Sequence, residues 1–314
     1  MKKKTLILSI IIMLILAMVS LALILHMSRS IKETVDEHTE ETAEELEQEE
    51  AEREAQKAEE EAAMQEIEDA AIASHVYSHR GSAGAEEHSF KAYDAAIEAG
   101  SRYIEQDVVI SSDGILYVSH DENAVYMTGY DGMYEYMSSE TIDSLETDAG
   151  NKILRLSEVF DKYGDNVNYV IELKTNSDAC TEAFEKLVEE YGLEDSVIVQ
   201  SMHAETLESI EKKYPDMPKL FVCWNQGDFD YVLDLPYVDI ISVKADVETG
   251  IFNESNCKAA HDAGKLFGAW TLNTEDEIKG AIDMGVDNYF TDDTALALSI
   301  EREYGQEVRK ASGE

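Results

Sequence analysis

Basic residues are scarce in this chain. Its 314 residues hold 25 Lys and Arg against 67 Asp and Glu, a formal net charge of −42. A surface so acidic repels a phosphate backbone, which excludes nucleic acid as a partner. Cysteine is scarcer still: Cys180, Cys223 and Cys257 are widely spaced and odd in number. They form neither a disulfide framework nor a zinc-ligand pattern, and Cys223, in an apolar strand-like run, reads as a core residue. Glycine and proline are missing altogether from Lys32 to Asp69. No G-x-G-x-x-G turn follows the first strand-like run, so an open, doubly wound dinucleotide-binding sheet is disfavoured. No internal repeat is evident.

Two stretches of extreme composition stand before the globular part. Leu6 to Leu25 is almost uninterruptedly apolar, long enough at ~1.5 Å per residue to cross a bilayer core of ~30 Å. Lys2, Lys3 and Lys4 precede it, which keeps the N-terminus cytoplasmic and sends the remainder across the membrane. A cleaved signal peptide is the alternative, but the run is longer than such peptides carry. It also ends in Leu25-His26-Met27, without a small-x-small cleavage site. The expectation is a single-pass cell-membrane protein with residues 1–30 as cytoplasmic tip and transmembrane anchor. Residues 31–71, rich in Glu, Ala and Gln, form an acidic helical or partly disordered stalk. Leu46, Met64 and Ile67 are too sparse to make a sustained coiled-coil seam.

Residues 72–314, roughly 240 in number, suffice for one large domain. Strand-like runs at Val76–His79, Tyr103–Val109, Asn168–Leu173, Ser196–Ser201, Leu220–Trp224, Val238–Val243, Leu266–Thr271 and Asn288–Thr291 alternate with helical patterns. Gly100, Gly192, Gly264 and Gly285 fall just after helical stretches, where a left-handed cap is wanted. The pattern predicts an α/β fold, a (β/α)8 TIM barrel. Ile115–Ser119 and the Tyr- and Gly-rich stretch Tyr126–Met137 interrupt it and predict an insertion over one end. There Tyr126, Tyr130, Tyr134 and Tyr136 form either a lid or a packed loop.

Such barrels carry their active sites at the C-terminal ends of the strands. The first run ends in His79-Arg80-Gly81. The second carries Glu105 and Asp107, two apart and so on one face. A short strand ends in His120-Asp121, and another carries Glu172 and Lys174. Carboxylates inside apolar strands are costly unless compensated. Three that converge repel one another unless a hard cation sits between them, and oxygen ligands suit Ca²⁺, Mg²⁺ or Mn²⁺. Histidines at neighbouring strand ends can take and give protons near neutral pH, while Arg80 and Lys174 offer positive charge to phosphate oxygens. Among the other histidines, His75 and His261 read as structural; His203, after the fourth strand-like run, is open to either reading.

In this order the motifs resemble the glycerophosphodiester phosphodiesterases of the phosphatidylinositol-phospholipase-C-like barrel superfamily. The matching segments are HRG at His79–Gly81, IEQDV at Ile104–Val108, DG at Asp113–Gly114, VSHD at Val118–Asp121, IELK at Ile171–Lys174, WTLN at Trp270–Asn273 and GVDNYFTDD at Gly285–Asp293. The resemblance implies metal-dependent hydrolysis of glycerophosphodiesters to glycerol 3-phosphate and an alcohol, which the expected orientation of the anchor would place on the outer face of the membrane. It implies His79 and His120 as the acid–base pair and Glu105, Asp107 and Glu172 as ligands of one divalent cation, Ca²⁺, Mg²⁺ or Mn²⁺. It further implies Arg80 and Lys174 as phosphate contacts and Trp270 as pocket wall. Where the family commonly reads Pro-Glu-Asn-Thr, this chain has Glu86-Glu87-His88-Ser89. Glu87 keeps the acidic position, and His88 in place of an amide is expected to alter the site edge or the choice of substrate. Two other readings stand beside this one: a phospholipase or cell-wall phosphodiester polymer hydrolase of the same superfamily, and a non-catalytic surface-binding module.

Overall fold

The computed structural model describes residues 18, 20–32, 53, 56–57 and 75–312. The chain divides into two units, residues 1–67 and 68–314. In the first, residues 20–32 are helical and expose Leu21, Leu23, Ile24, Leu25, Met27 and Ile31. Among the described residues no helix is long and apolar enough to cross a membrane. Residues 6–17 and 19 of the expected anchor, and nearly all of the expected stalk, lie outside the described residues.

The second unit is a closed barrel. Its strands are β1 (Val76–Ser78), β2 (Tyr103–Ile110), β3 (Leu116–Val118), β4 (Asn168–Leu173), β5 (Val197–Ser201), β6 (Lys219–Cys223), β7 (Ile240–Lys244), β8 (Leu266–Trp270) and β9 (Asn288–Thr291). They pair in the order β1-β9-β8-β7-β6-β5-β4-β2, and a β1–β2 pairing closes the ring. All these pairs are parallel; only β3 folds back antiparallel on β2. Eight parallel strands closed in this way are a TIM barrel.

The outer helices are α1 (Phe90–Glu98), α2 (Leu156–Tyr163), α3 (Asp178–Tyr191), α4 (Ala204–Lys213), α5 (Gln226–Leu233), α6 (Glu254–Asp262), α7 (Glu275–Met284) and α8 (Thr294–Ile300). Local chemistry sets their ends. Ser177 caps α3 by accepting from the Cys180 N–H, and Gly192 ends it in the left-handed conformation. Thr274 and Glu277 close a reciprocal capping box at the start of α7, which Gly285 ends.

Alternation along each strand sorts residues between two layers. The outward set, including Ile104, Val108, Ile171, Leu173, Val199, Phe221 and Ile241, packs against Tyr93, Phe160, Phe184, Leu207 and Phe229 of the helices. Each such fully buried side chain contributes about 1.5–3 kcal/mol. The inward set fills the barrel with Tyr77, Val170, Ile198, Leu220, Val222, Ile240 and Phe290. Glu105, Asp107 and Glu172 share that inward phase but sit nearer the C-terminal strand ends. The apolar layers thus form the floor beneath them.

The segment after β2 is the expected insertion. It packs as a cluster of its own around Val109, Tyr117, Ala124, Tyr134, Met137, Ile142 and Ile153. Tyr134 is buried there, while Tyr126, Tyr130 and Tyr136 are exposed. All three cysteines are free and buried.

Candidate active site

A cavity of about 310 Å³ opens at the C-terminal end of the barrel. It is lined by His79, Arg80, Glu105, Asp107, His120, Glu172 and Lys174, and also by Gln200, Met202, Val222, Trp224, Trp270 and Phe290. All eight residues singled out in the sequence therefore meet in one place.

Strand register explains why the carboxylates converge. Asp107 on β2 stands opposite Glu172 on β4, and Glu172 stands opposite Gln200 on β5. Glu105 lies one inward position deeper than Asp107. All three acids are buried, and one oxygen of each lies within 4.8 Å of the others. Basic groups flank them. Lys174 Nζ lies 3.0 Å from Glu172 Oε1 and 3.6 Å from Asp107 Oδ1, and Arg80 Nε lies 3.1 Å from Asp107 Oδ2. The Arg80 backbone N–H donates to Glu105 Oε2 at 2.9 Å, and the Gln200 amide donates to Glu105 at 3.2 Å and to Glu172 at 3.4 Å.

The three acids respond to this setting differently. Burial, reinforced by the Asp107 charge, pushes Glu105 well above the ordinary carboxylate range. The same two causes push Glu172 up to about 7, against the pull of Lys174. Burial works on Asp107 too, but the His88 hydrogen bond and the charges of Lys174 and Arg80 hold it well below the usual value. The protein alone thus leaves two of its three acids undercompensated.

That imbalance is what a divalent cation would relieve. Oxygens bound at roughly 2.1–2.6 Å to one hard ion lie up to about 5 Å apart, so the observed spacing fits. Gln200 Oε1, buried and without a hydrogen-bond partner, adds a further hard donor beside the acids. The donor set is all oxygen, which suits Ca²⁺, Mg²⁺ or Mn²⁺. Together the buried acidic cluster and its oxygen donors make a candidate divalent-metal site.

The two histidines are held in different ways. His79 Nδ1 lies 2.7 Å from Asp292 Oδ1, just past the end of β9. Asn273 grips that carboxylate in turn, donating to Oδ2 at 2.7 Å and accepting from the Asp292 N–H at 2.8 Å. With Nδ1 engaged, Nε2 is the nitrogen His79 offers to the cavity. The His79 hydrogen bond holds Asp292 below the ordinary carboxylate range. His120 is half-exposed, with Nδ1 3.4 Å from Asp121, and burial pushes its pKa down.

Gly81 fits the turn out of β1. Its φ is +99°, and a Cβ there would lie 2.5 Å from the Ala92 Cβ and 2.6 Å from the Ala92 carbonyl carbon. Opposite the charged wall, Trp224 and Trp270 meet edge to face at 4.7 Å. The Trp270 indole N–H is buried and has no partner in the protein.

One expectation is corrected. His88 does not sit at the site edge; it is buried behind Asp107 and does not line the cavity. Its backbone φ of +57° turns the ring inward, away from the direction taken by the neighbouring, exposed Glu87. His203 immediately precedes α4 as its N-cap residue and does not line the cavity. His75 and His261 serve structure, binding the Asp287 carbonyl and carboxylate at 2.7 and 2.8 Å. The sequence reading missed Gln200, Trp224, Asp292 and Asn273 as parts of the site. Gln200 carried a signal, being a polar residue near the end of an apolar strand in the inward phase.

Comparison with known proteins agrees with this geometry. Residues 79–296 match the model of the glycerophosphoryl diester phosphodiesterase family. A glycerophosphodiester phosphodiesterase of Caldanaerobacter subterraneus is 27% identical over 73% of this chain and 98% of its own length. The crystal structure of a glycerophosphodiester phosphodiesterase from Agrobacterium tumefaciens superposes with a TM-score of 0.61 at 23% identity, over 72% of this chain and 98% of that one. A phosphodiesterase of Oleispira antarctica, solved with the product sn-glycerol-3-phosphate, gives 0.61 at 21% identity, over 76% and 96%. At these identities the two structures establish the fold.

Proposed function

The chain belongs to the glycerophosphoryl diester phosphodiesterase family and is a phosphodiesterase, and from that premise we propose that it hydrolyses glycerophosphodiesters to glycerol 3-phosphate and an alcohol with the help of one divalent cation. One observation carries the reading: two histidines, three buried acids and two partly buried cations line a single cavity at the C-terminal mouth of the barrel.

Glu105, Asp107 and Glu172 would hold the ion. Bound there, it supplies Lewis-acid polarisation of the phosphoryl oxygens. Arg80 and Lys174, fixed by their acidic neighbours, bind the same oxygens and stabilise charge that builds up during reaction. The free Trp270 N–H offers one more donor. His79 and His120 divide the proton transfers. One takes the proton of the attacking oxygen as a P–O bond forms; that oxygen belongs either to water or to the adjacent glycerol hydroxyl, and in the second case the cyclic phosphate formed is opened by water in a second, reversed round to give glycerol 3-phosphate. The other delivers a proton to the departing alkoxide as the old P–O bond breaks. Asp292 orients His79 through Nδ1, as an acid behind a catalytic histidine does.

The test is release of glycerol 3-phosphate from a panel of glycerophosphodiesters by the purified full chain. It is run with Ca²⁺, Mg²⁺ or Mn²⁺ and with chelator. Release that needs metal and differs among alcohols supports the proposal; no release from folded protein with any ion refutes it. The apolar wall of Met202, Val222, Trp224, Trp270 and Phe290 favours a second reading, in which the alcohol is lipid-derived. Lysophospholipids in the same panel test that. For location, the apolar run behind Lys2–Lys4 supports attachment to a cell membrane with the barrel outside. Protease added to intact cells is expected to digest the barrel; complete protection refutes that placement.

A further inference from the structure

We propose that His88 is a positioning residue, which together with Tyr93 fixes the Asp107 carboxylate so that one chosen oxygen is presented to the divalent cation. The inference rests on the cation reading above and assigns part of that site to a residue outside the cavity.

The imidazole is fully buried, and both its nitrogens are engaged. Nε2 lies 3.0 Å from Asp107 Oδ2, and Nδ1 lies 2.9 Å from the Tyr93 hydroxyl. An ionised Asp107 only accepts, so Nε2 carries the proton that it donates. Nδ1 then accepts from the Tyr93 O–H, and Tyr93, fully buried on α1, anchors the chain of bonds in the helical layer. Arg80 Nε reaches the same Oδ2 from another side at 3.1 Å. Oδ2 is thus held by the His88 hydrogen bond with the Arg80 charge beside it, while Oδ1, with Lys174 Nζ 3.6 Å away and beyond hydrogen-bond reach, is the oxygen offered to a cation.

The backbone supports this assignment. Arg80 and His88, with φ of 56° and 57°, are the only non-glycine residues of positive φ among the described residues. The His88 N–H donates to the Arg80 carbonyl at 2.9 Å, so the two strained residues are tied together. Such conformations persist where the surroundings over-determine them and cluster at functional sites. Here His88 aims a donor at one carboxylate oxygen and Arg80 sets its charge beside the same atom. Partners standing behind a metal ligand usually carry a 10- to 100-fold share of metal affinity.

The experiment is Mn²⁺ titration of the chelator-stripped full chain by calorimetry, with circular dichroism as the check on folding. His88→Ala is expected to weaken Mn²⁺ binding by roughly 10- to 100-fold. Tyr93→Phe, which loses only the outer bond, is expected to weaken it less. His88→Gln, whose amide N–H reaches toward Asp107, is expected to recover part of the loss. Folded His88→Ala that binds within twofold of wild type overturns the proposal. So does His88→Gln no better than His88→Ala, which would assign the loss to a disturbed loop. If His88→Ala fails to fold, Tyr93→Phe carries the test, and unchanged affinity there is the refuting result. Wild type that binds no Mn²⁺ refutes the cation reading itself, an outcome distinct from all of these.

Discussion

Stripped of metal, this protein is expected to lose stability as pH rises from 5 to 7.5, because its barrel mouth holds acids that folding keeps protonated. The best-defined contributor is Glu172, moved from 4.5 to about 7 by burial and by Asp107. Between those values the native state binds more protons than the unfolded chain, so unfolding free energy falls with pH. The contribution is complete below about 4.5 and gone above about 7. A shift of about 2.5 units corresponds to roughly 3 kcal/mol. Glu105 is pushed the same way. Other groups also tilt the curve. His88 and His120, with lowered pKa values, add stability as pH rises toward 6.5, and the net charge of −42 adds general repulsion. Asp107 and Asp292, held low, lose their contribution only in stronger acid, outside the window. A difference measurement removes these terms. Unfolding free energies from denaturant titrations at pH 5 and 7.5, in chelator, are compared for wild type and Glu172→Gln. Over this pH interval, which covers most but not all of the titration, the wild-type loss is expected to exceed the variant's by roughly 2 kcal/mol. Calorimetry in two buffers of different ionisation enthalpy is expected to show Mn²⁺ binding near pH 6 releasing protons, as ligation of protonated acids requires. Parallel pH dependences in the two proteins, or binding without proton release, would refute the reasoning.

Other consequences follow from the geometry. His79→Ala and His120→Ala are each expected to lower kcat by roughly 10²–10⁴ while leaving Mn²⁺ affinity near wild type; loss of binding with kcat intact would remove the proton-transfer roles. Asp292→Asn keeps the shape but not the charge facing His79. It is expected to lower kcat on the order of 10²-fold with Mn²⁺ affinity near wild type, and an unchanged kcat would show that the Asp292 contact does not orient His79. Gly81→Ala forces a Cβ into the Ala92 backbone at positive φ. It is expected to cost about 3 kcal/mol, a fall in Tm of roughly 6–12 °C, and an unchanged Tm would mean that the turn relaxes freely.

Some of this protein was legible before any fold was known, and the division follows the range of the interactions involved. Period-two alternation and helix caps are local, and the strand run Asn168–Leu173 matches β4 residue for residue. Helix α5 shows little periodicity in the sequence, because Gly227, Asp228 and Asp230 dilute its pattern. It forms through the Asn225 cap, which accepts from the Asp228 N–H, and through burial of Phe229 and Val232. Seven of the eight site residues were visible because titratable groups within or just past apolar strands are a local anomaly, and Trp270 came with the resemblance. Their helpers were not visible, since they depend on ring closure. His79 meets Asp292 across 213 positions of sequence, and only the pairing of β1 with β9 brings the two together.

His88 shows a different limit. Nothing in Glu86-Glu87-His88-Ser89 distinguishes an outward histidine from an inward one, because a single dihedral decides which it is. That dihedral is set by what the ring meets, Asp107 on one side and Tyr93 on the other. An isolated loop would avoid a conformation that costs roughly 1–2 kcal/mol. A hydrogen bond to a charged group contributes about 1.5–3 kcal/mol, enough to offset that cost once β2 has carried Asp107 to the barrel mouth. The local structure at His88 is therefore a product of the site rather than a scaffold for it. This order of cause makes a substitution at Asp107 the informative one for the loop: Asp107→Ala is expected to release His88 from its left-handed conformation, read as new protease sensitivity between Gly81 and Phe90. A loop as resistant as wild type would mean that Tyr93 and the Arg80 carbonyl hold it without the carboxylate.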